Sequence, residues 1–168
     1  MPAKIVSGGQ TGVDRAALDA ARRFGIDTGG YVPAGRLAED GPITNEYAGL
    51  IETASDDPAV RTTMNVIHSD ATLIVSRGHL EGGSLLTRRT SQLEKKPWLH
   101  IDLRKTTLRT AAARIERWLS SINCCTLNVA GPRSSEDAEI YGKAVKVLEA
   151  VLAKKDGAAK TAPSSGQT

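Results

Sequence analysis

The chain has 168 residues, 40% hydrophobic, 24% charged and only 4% aromatic, with 16 glycines and 7 prolines. That length suits one globular domain burying roughly 70% of its unfolded surface, and the composition excludes collagen-like, coiled-coil and disulfide-framework classes. The charge balance, 22 Lys plus Arg against 19 Asp plus Glu, is too even to define a nucleic-acid partner. No apolar run reaches the roughly 18 residues that span a bilayer. Met1-Pro2-Ala3-Lys4 leads into a strand-like segment and not a signal sequence, so a cytoplasmic protein with no membrane partner is expected. The adjacent Cys124 and Cys125 close no loop and fall short of a structural zinc site, which fits a reducing compartment.

Lys4 to Ser7 reads as a first buried strand. A helix is predicted from Val13 to Phe24, with Ala17, Leu18, Ala21 and Phe24 on one face and Gly25 as its left-handed C-terminal residue. From Asp27 to Asp57 the glycines Gly29, Gly30, Gly35, Gly41 and Gly49, with Pro33 and Pro42, predict a long ordered loop holding one short strand near Tyr31. A short helix follows from Pro58 toward Asn65. Strand Ala71 to Ser76, helix Ser84 to Glu94 and strand Trp98 to Leu103 come next.

Leu108, Ala111, Ala112, Ile115, Leu119 and Ile122 form a helical stripe, and Thr126 to Ala130 a strand. Ala138, Tyr141, Val145, Leu148 and Leu152 mark a last helix, capped by Ser134 or Ser135. Lys154 to Thr168 contains no large hydrophobic residue and reads as a disordered tail after a single domain over residues 1–153. The alternation implies right-handed crossovers and a mostly parallel sheet flanked by helices, an α/β Rossmann-like three-layer domain.

In such a sheet, ligands bind at the carboxyl ends of the strands. Three loops should meet there: Ser7-Gly8-Gly9-Gln10-Thr11-Gly12, Arg77-Gly78-His79-Leu80-Glu81-Gly82-Gly83-Ser84, and Gly131-Pro132-Arg133-Ser134-Ser135. Glycines let a backbone approach a ligand, and helix starts attract anions, most often phosphate. Arg133 adds a guanidinium able to hold two phosphate oxygens. A phosphate-bearing ligand is the strongest physical expectation, and Gly9→Asp is expected to block it at little cost to the fold.

Gly8, Gly9 and Gly12 do not give the G-x-G-x-x-G spacing, and no Gly-Lys-Ser or Gly-Lys-Thr follows them, which argues against ordinary NAD binding and excludes a P-loop. His68, His79 and His100 show no metal-ligand spacing, and neither a serine elbow nor a Cys-His pair is visible. Asp14, Glu39, Asp40 and Glu81 could serve as a base or nucleophile, or Asp14 and Arg15 could simply start a helix and pair with neighbours. The basic stretch from Arg88 to Arg117 reads as solvated helix faces, and six aromatic residues in the chain leave few stacking platforms for nucleic acid. Cys124 and Cys125 are expected to be small core residues.

The blocks from Ser7 to Asp19 and from Gly29 to Gly41, with Arg61-Thr62-Thr63-Met64-Asn65-Val66, strand Ala71 to Val75, Gly82-Gly83-Ser84-Leu85-Leu86-Thr87 and Asn128 to Arg133, strongly resemble the putative molybdenum carrier family. That family resembles a wider Rossmann-like group that includes lysine-decarboxylase-like phosphoribohydrolases and bacterial DNA-processing proteins. The resemblance covers residues 4 to 152. It implies a non-catalytic protein that holds molybdenum cofactor (molybdopterin), a pterin with one phosphate, and hands it to apo molybdoenzymes; a homo-oligomer is part of the same expectation.

By the same resemblance Gly8, Gly9, Gln10, Thr11, Gly12, Gly82, Gly83, Ser84, Arg133 and Ser134 would hold the cofactor, with Arg36, Arg61 and Asn65 as weaker candidates, and no metal ligand or catalytic residue is assigned. The alternative is a nucleotide-binding sensor or a nucleoside monophosphate phosphoribohydrolase-like enzyme. The enzymatic relatives carry a glycine and a catalytic glutamate where this chain has Leu85 and Arg89, and N-glycosidic cleavage needs a carboxylate near the sugar.

Overall fold

The structure, a computed structural model, describes residues 1–153; the tail expected at 154–168 lies outside the described residues. In chain order the elements are β1 (Lys4–Val6), α1 (Val13–Arg23), β2 (Asp27–Val32), a short 3-10 turn (Ala34–Arg36), β3 (Leu37–Ala38) and β4 (Gly41–Pro42). They continue with β5 (Leu50–Glu52), α2 (Pro58–Ile67), β6 (Ala71–Ser76), α3 (Gly82–Leu93), β7 (Trp98–Asp102), α4 (Leu108–Ser121), β8 (Thr126–Ala130) and α5 (Ile140–Leu152). The main sheet has six strands in the order β5-β2-β1-β8-β6-β7, every neighbouring pair parallel. Helices α1, α5 and α4 pack together on one face, and α2 packs with α3 on the other. The expected α/β Rossmann-like three-layer architecture is present.

The core is aliphatic and small. Ala16, Ala17, Ala20 and Ala21 bury one side of α1, so this helix lies close to the sheet and to α5. Ile5, Leu73, Val75, Ile101, Leu127 and Val129 fill the sheet side, and burying each leucine or isoleucine contributes about 1.5–3 kcal/mol. All six residues of β6 are buried, as an inner strand covered on both faces requires.

Two expectations about the elements need correction. The segment 27–57 is no single loop: Asp27–Val32 pairs along β1 with Lys4 opposite Asp27, Leu50–Glu52 extends the sheet, and Leu37–Pro42 folds into a small antiparallel hairpin. The short strand expected near Tyr31 is present but longer, its first half masked because Gly29 and Gly30 lower β propensity while their missing side chains admit close backbone contact. The second correction concerns α5, which starts at Ile140 with Glu139 before it and no side-chain cap. Ser134 and Ser135 lie upstream and bond to other loops.

His100 is a packed histidine: its Nε2 lies 2.7 Å from Ser76 Oγ, and burial pushes its pKa down. Cys124 packs against the core, and burial pushes its thiol up to about 11; Cys125, contrary to expectation, is exposed. No helix among the described residues is long and apolar enough to cross a membrane.

Candidate functional site

Strand β8 lies between β1 and β6. The chain leaves β1 toward β2 and leaves β6 toward β7, so the crevice at the carboxyl ends of β1, β8 and β6 is the place where strand order reverses. All three glycine-bearing loops meet there. A cleft of about 250 Å³ opens between them, lined by Gln10, Arg61, Gly82, Gly83, Ser84 and Arg133, together with Asp14, Thr62, Thr87 and Glu136.

The first loop is closed on itself. The Gln10 amide donates to Asp14 Oδ2 at 3.2 Å, the Thr11 amide to Gln10 Oε1 at 3.0 Å, and the Val13 amide to the Pro132 carbonyl at 3.2 Å. Gly8 instead makes room for a side chain from elsewhere. A Cβ there would sit 1.8 Å from Arg61 Nη1, so its absence lets Arg61 reach from α2 across the loop. Arg61 Nη1 bonds Asp14 Oδ2 at 3.1 Å, with side chains only 14% and 4% exposed. Arg61 Nε is buried without a partner. Burial pushes the Asp14 carboxyl above its ordinary range, against the opposing pull of Arg61.

Gly9 adopts φ +70°, and a Cβ there would meet Ile43 Cδ1 at 2.8 Å; it faces the hairpin side, away from the cleft. That overturns the expectation that Gly9→Asp would spare the fold. Thr11 and Ser134 do not line the cleft either; the Ser134 amide donates to Thr11 Oγ1 at 3.0 Å. Gly12 precedes α1 beneath Pro132. Arg36 is spent on the Ile43 and Thr44 carbonyls at 3.0 and 2.9 Å. Asn65 brackets the backbone of Tyr31, accepting from its amide at 2.8 Å and donating to its carbonyl at 2.9 Å.

The second loop is the open one. Helix α3 begins at Gly82 with no side chain capping it, so its first-turn amides point out unsatisfied and its dipole favours an anion. Gly83 is open: nothing lies within 4 Å of where its Cβ would be. Ser84 is 5% exposed and Thr87 2%, and Thr87 Oγ1 donates back to the Gly83 carbonyl at 2.8 Å.

Acids from the hairpin hold the first and third loops. The Glu39 carboxylate accepts from Thr11 Oγ1, from Ser135 Oγ and from the Ser135 amide at 3.1 Å, and Arg133 Nε stands 3.6 Å away. Burial pushes Glu39 up, but the Ser135 and Thr11 hydrogen bonds and Arg133 outweigh it and hold the carboxyl below its ordinary range. Asp40 is held down by the two-pronged Arg15 guanidinium. Thus six of the thirteen candidate residues line the cleft and Gly8 underlies it. Sequence reasoning missed Thr62, Thr87 and Glu136. Thr87 carried a readable signal, one helical turn beyond Gly83. Of the basic stretch from Arg88 to Arg117, only Arg104 lines the crevice, in an adjoining lobe.

A doubly wound parallel sheet with a crevice at its switch point defines a Rossmann-like domain. Residues 5–152 match the family model described as the circularly permutated YpsA SLOG family, and the chain belongs to that family. A solved structure of a putative molybdenum carrier protein from Syntrophus aciditrophicus SB is 48% identical, with a TM-score of 0.88 over 90% of this chain and 95% of that one. The resemblance read from the glycine blocks is thereby shown. No curated protein matches the chain.

Proposed function

We propose that this chain binds and carries a phosphorylated pterin of the molybdenum cofactor class, gripping its phosphate in the crevice and doing no chemistry on it. The observation that carries the reading is Arg61, a largely buried side chain whose Nε–H has no partner and which shares the cleft wall with the uncapped start of α3. Buried donors without partners cost about 1–3 kcal/mol, so a ligand oxygen arriving there is stabilised by the penalty it removes. Gly82, Gly83, Ser84 and Arg61 form the phosphate seat, with Gln10 and Arg133 at its rim; Gly8 and the Thr11 to Ser134 contact support it. Likeness to a protein named a putative molybdenum carrier supports the choice of cargo. Among the described residues no three His, Cys, Asp or Glu side chains group as metal ligands, so this reading places recognition on the organic and phosphate parts. Transfer to apo molybdoenzymes in the cytoplasm belongs to the same reading.

One observation favours a second reading. Asp14 is a buried carboxylate in the cleft with a raised pKa, a pattern frequent in catalytic acids, and would suit a nucleoside monophosphate phosphoribohydrolase-like enzyme. Its partner Arg61 and the presence of Arg89 where the relatives carry glutamate weigh against it. Native mass spectrometry on anaerobically purified protein, before and after adding molybdenum cofactor, decides. A near-stoichiometric cofactor adduct is expected. A nucleotide mass without cofactor uptake, or release of free base from nucleoside monophosphates that Asp14→Asn abolishes, would overturn the carrier reading.

A further inference from the structure

Beside the phosphate seat the crevice continues into a second lobe of about 330 Å³. The two share Ser84 and Glu136 in their walls, so one ligand of nucleotide size can occupy both. Much of the lobe's charge is internally satisfied. Arg77 is held by Asp137 at 2.9 Å and Glu139 at 2.7 Å, and Glu136 faces Arg133. Three titratable lining side chains have no ion pair or side-chain hydrogen bond among the described residues: Arg104, His79 and Glu81. Arg104 is placed by Gly78, whose missing Cβ leaves room for the guanidinium, 3.1 Å from where that atom would be.

We infer that this second lobe selects an aminopyrimidinone ring, the ring shared by pterins and guanine, an assignment that rests on the phosphate-seat reading above. A guanidinium donates to a ring carbonyl, and in guanine to the neighbouring ring nitrogen as well, whereas adenine turns an amino donor toward it. A carboxylate accepts from the ring N–H and exocyclic amine that an aminopyrimidinone presents together and adenine does not. Arg104 and Glu81 supply this pair of opposite requirements. No Phe, Tyr or Trp lines the lobe, so the proposed discrimination rests on the ring's edges.

The test is calorimetric titration of the full chain with ribose phosphate, AMP, GMP and neopterin monophosphate. GMP or neopterin monophosphate should bind at least about tenfold more tightly than AMP, as a good paired edge contact provides. Arg104→Ala and Glu81→Gln, both at exposed positions, should erase that preference and leave ribose phosphate binding unchanged. Preference for the pterin over GMP names the pterin as the source of the ring, and the reverse names guanine. AMP binding as tightly as both GMP and neopterin monophosphate, or a preference that survives Arg104→Ala, overturns the second lobe while leaving the phosphate seat standing. If no probe binds the native chain, or Gly83→Asp leaves ribose phosphate affinity intact, the phosphate seat itself fails.

Discussion

Two glycines of the first and second loops have opposite tolerances. Gly83 faces open space in the first turn of α3, where an acidic side chain also complements the helix dipole by about 0.3–1 kcal/mol. Gly83→Asp is therefore expected to melt at or above the native temperature while abolishing phosphate-ligand binding; retained affinity in a titration would remove Gly83 from the seat. Gly9 is strained for any other residue and crowded by Ile43, so Gly9→Asp should cost on the order of 1–3 kcal/mol in chemical denaturation. Asn65 makes a similar point from the other direction. Its amide closes both backbone bonds of Tyr31, and Asn65→Ala should lose about 1–3 kcal/mol of stability with ligand affinity unchanged. A parallel loss of affinity at constant stability would return Asn65 to the site.

At the scale of elements, the β3–β4 hairpin is fastened by its two acids, Glu39 on the first and third loops and Asp40 on Arg15. Both carboxyls are held below their ordinary values of 4.5 and 3.8. A carboxyl whose folded pKa is depressed contributes stability that is present above its unfolded value and lost as pH falls through the folded one. The hairpin should thus loosen in acid below about pH 4.5, read as faster cleavage around Ala38–Gly41 in limited proteolysis, and Glu39→Ala should show the same loosening at neutral pH. Equal protection of Glu39→Ala and native protein would deny the fastening. Little of this was legible in the sequence. Apolar runs marked β6 and β8 to the residue, because inner strands must be apolar on both faces. The hairpin has two-residue strands set by long-range carboxylate contacts that no local periodicity records. Within the site, the glycines announced a close approach but not by what. That Gly8 makes room for Arg61, 53 residues later in the numbering, depends on how α2 packs and cannot be read from spacing.

For the whole molecule, a ligand that binds only the folded chain adds its own free energy to folding. At a hundredfold excess over Kd this is about 2.7 kcal/mol, which for a domain of this size corresponds to a rise in Tm of roughly 5–11 °C. Neopterin monophosphate or molybdenum cofactor should produce that rise, and Gly83→Asp should cancel it; an equal rise in the mutant would move the binding site elsewhere.

The sheet also sets an order of events during synthesis. Strands β5, β2 and β1 form one half and β6 with β7 the other, and only β8, residues 126–130, hydrogen-bonds to both. A nascent chain that has emerged only as far as Ile122 holds two half-sheets with facing unpaired edges, and such edges invite association with other chains. The ribosome must deliver the last strand before the halves can join, and with them the crevice. On the proposed reading, ligand capture waits for residues 126–130, and a fragment stalled before them would compete for chaperones and not for cargo.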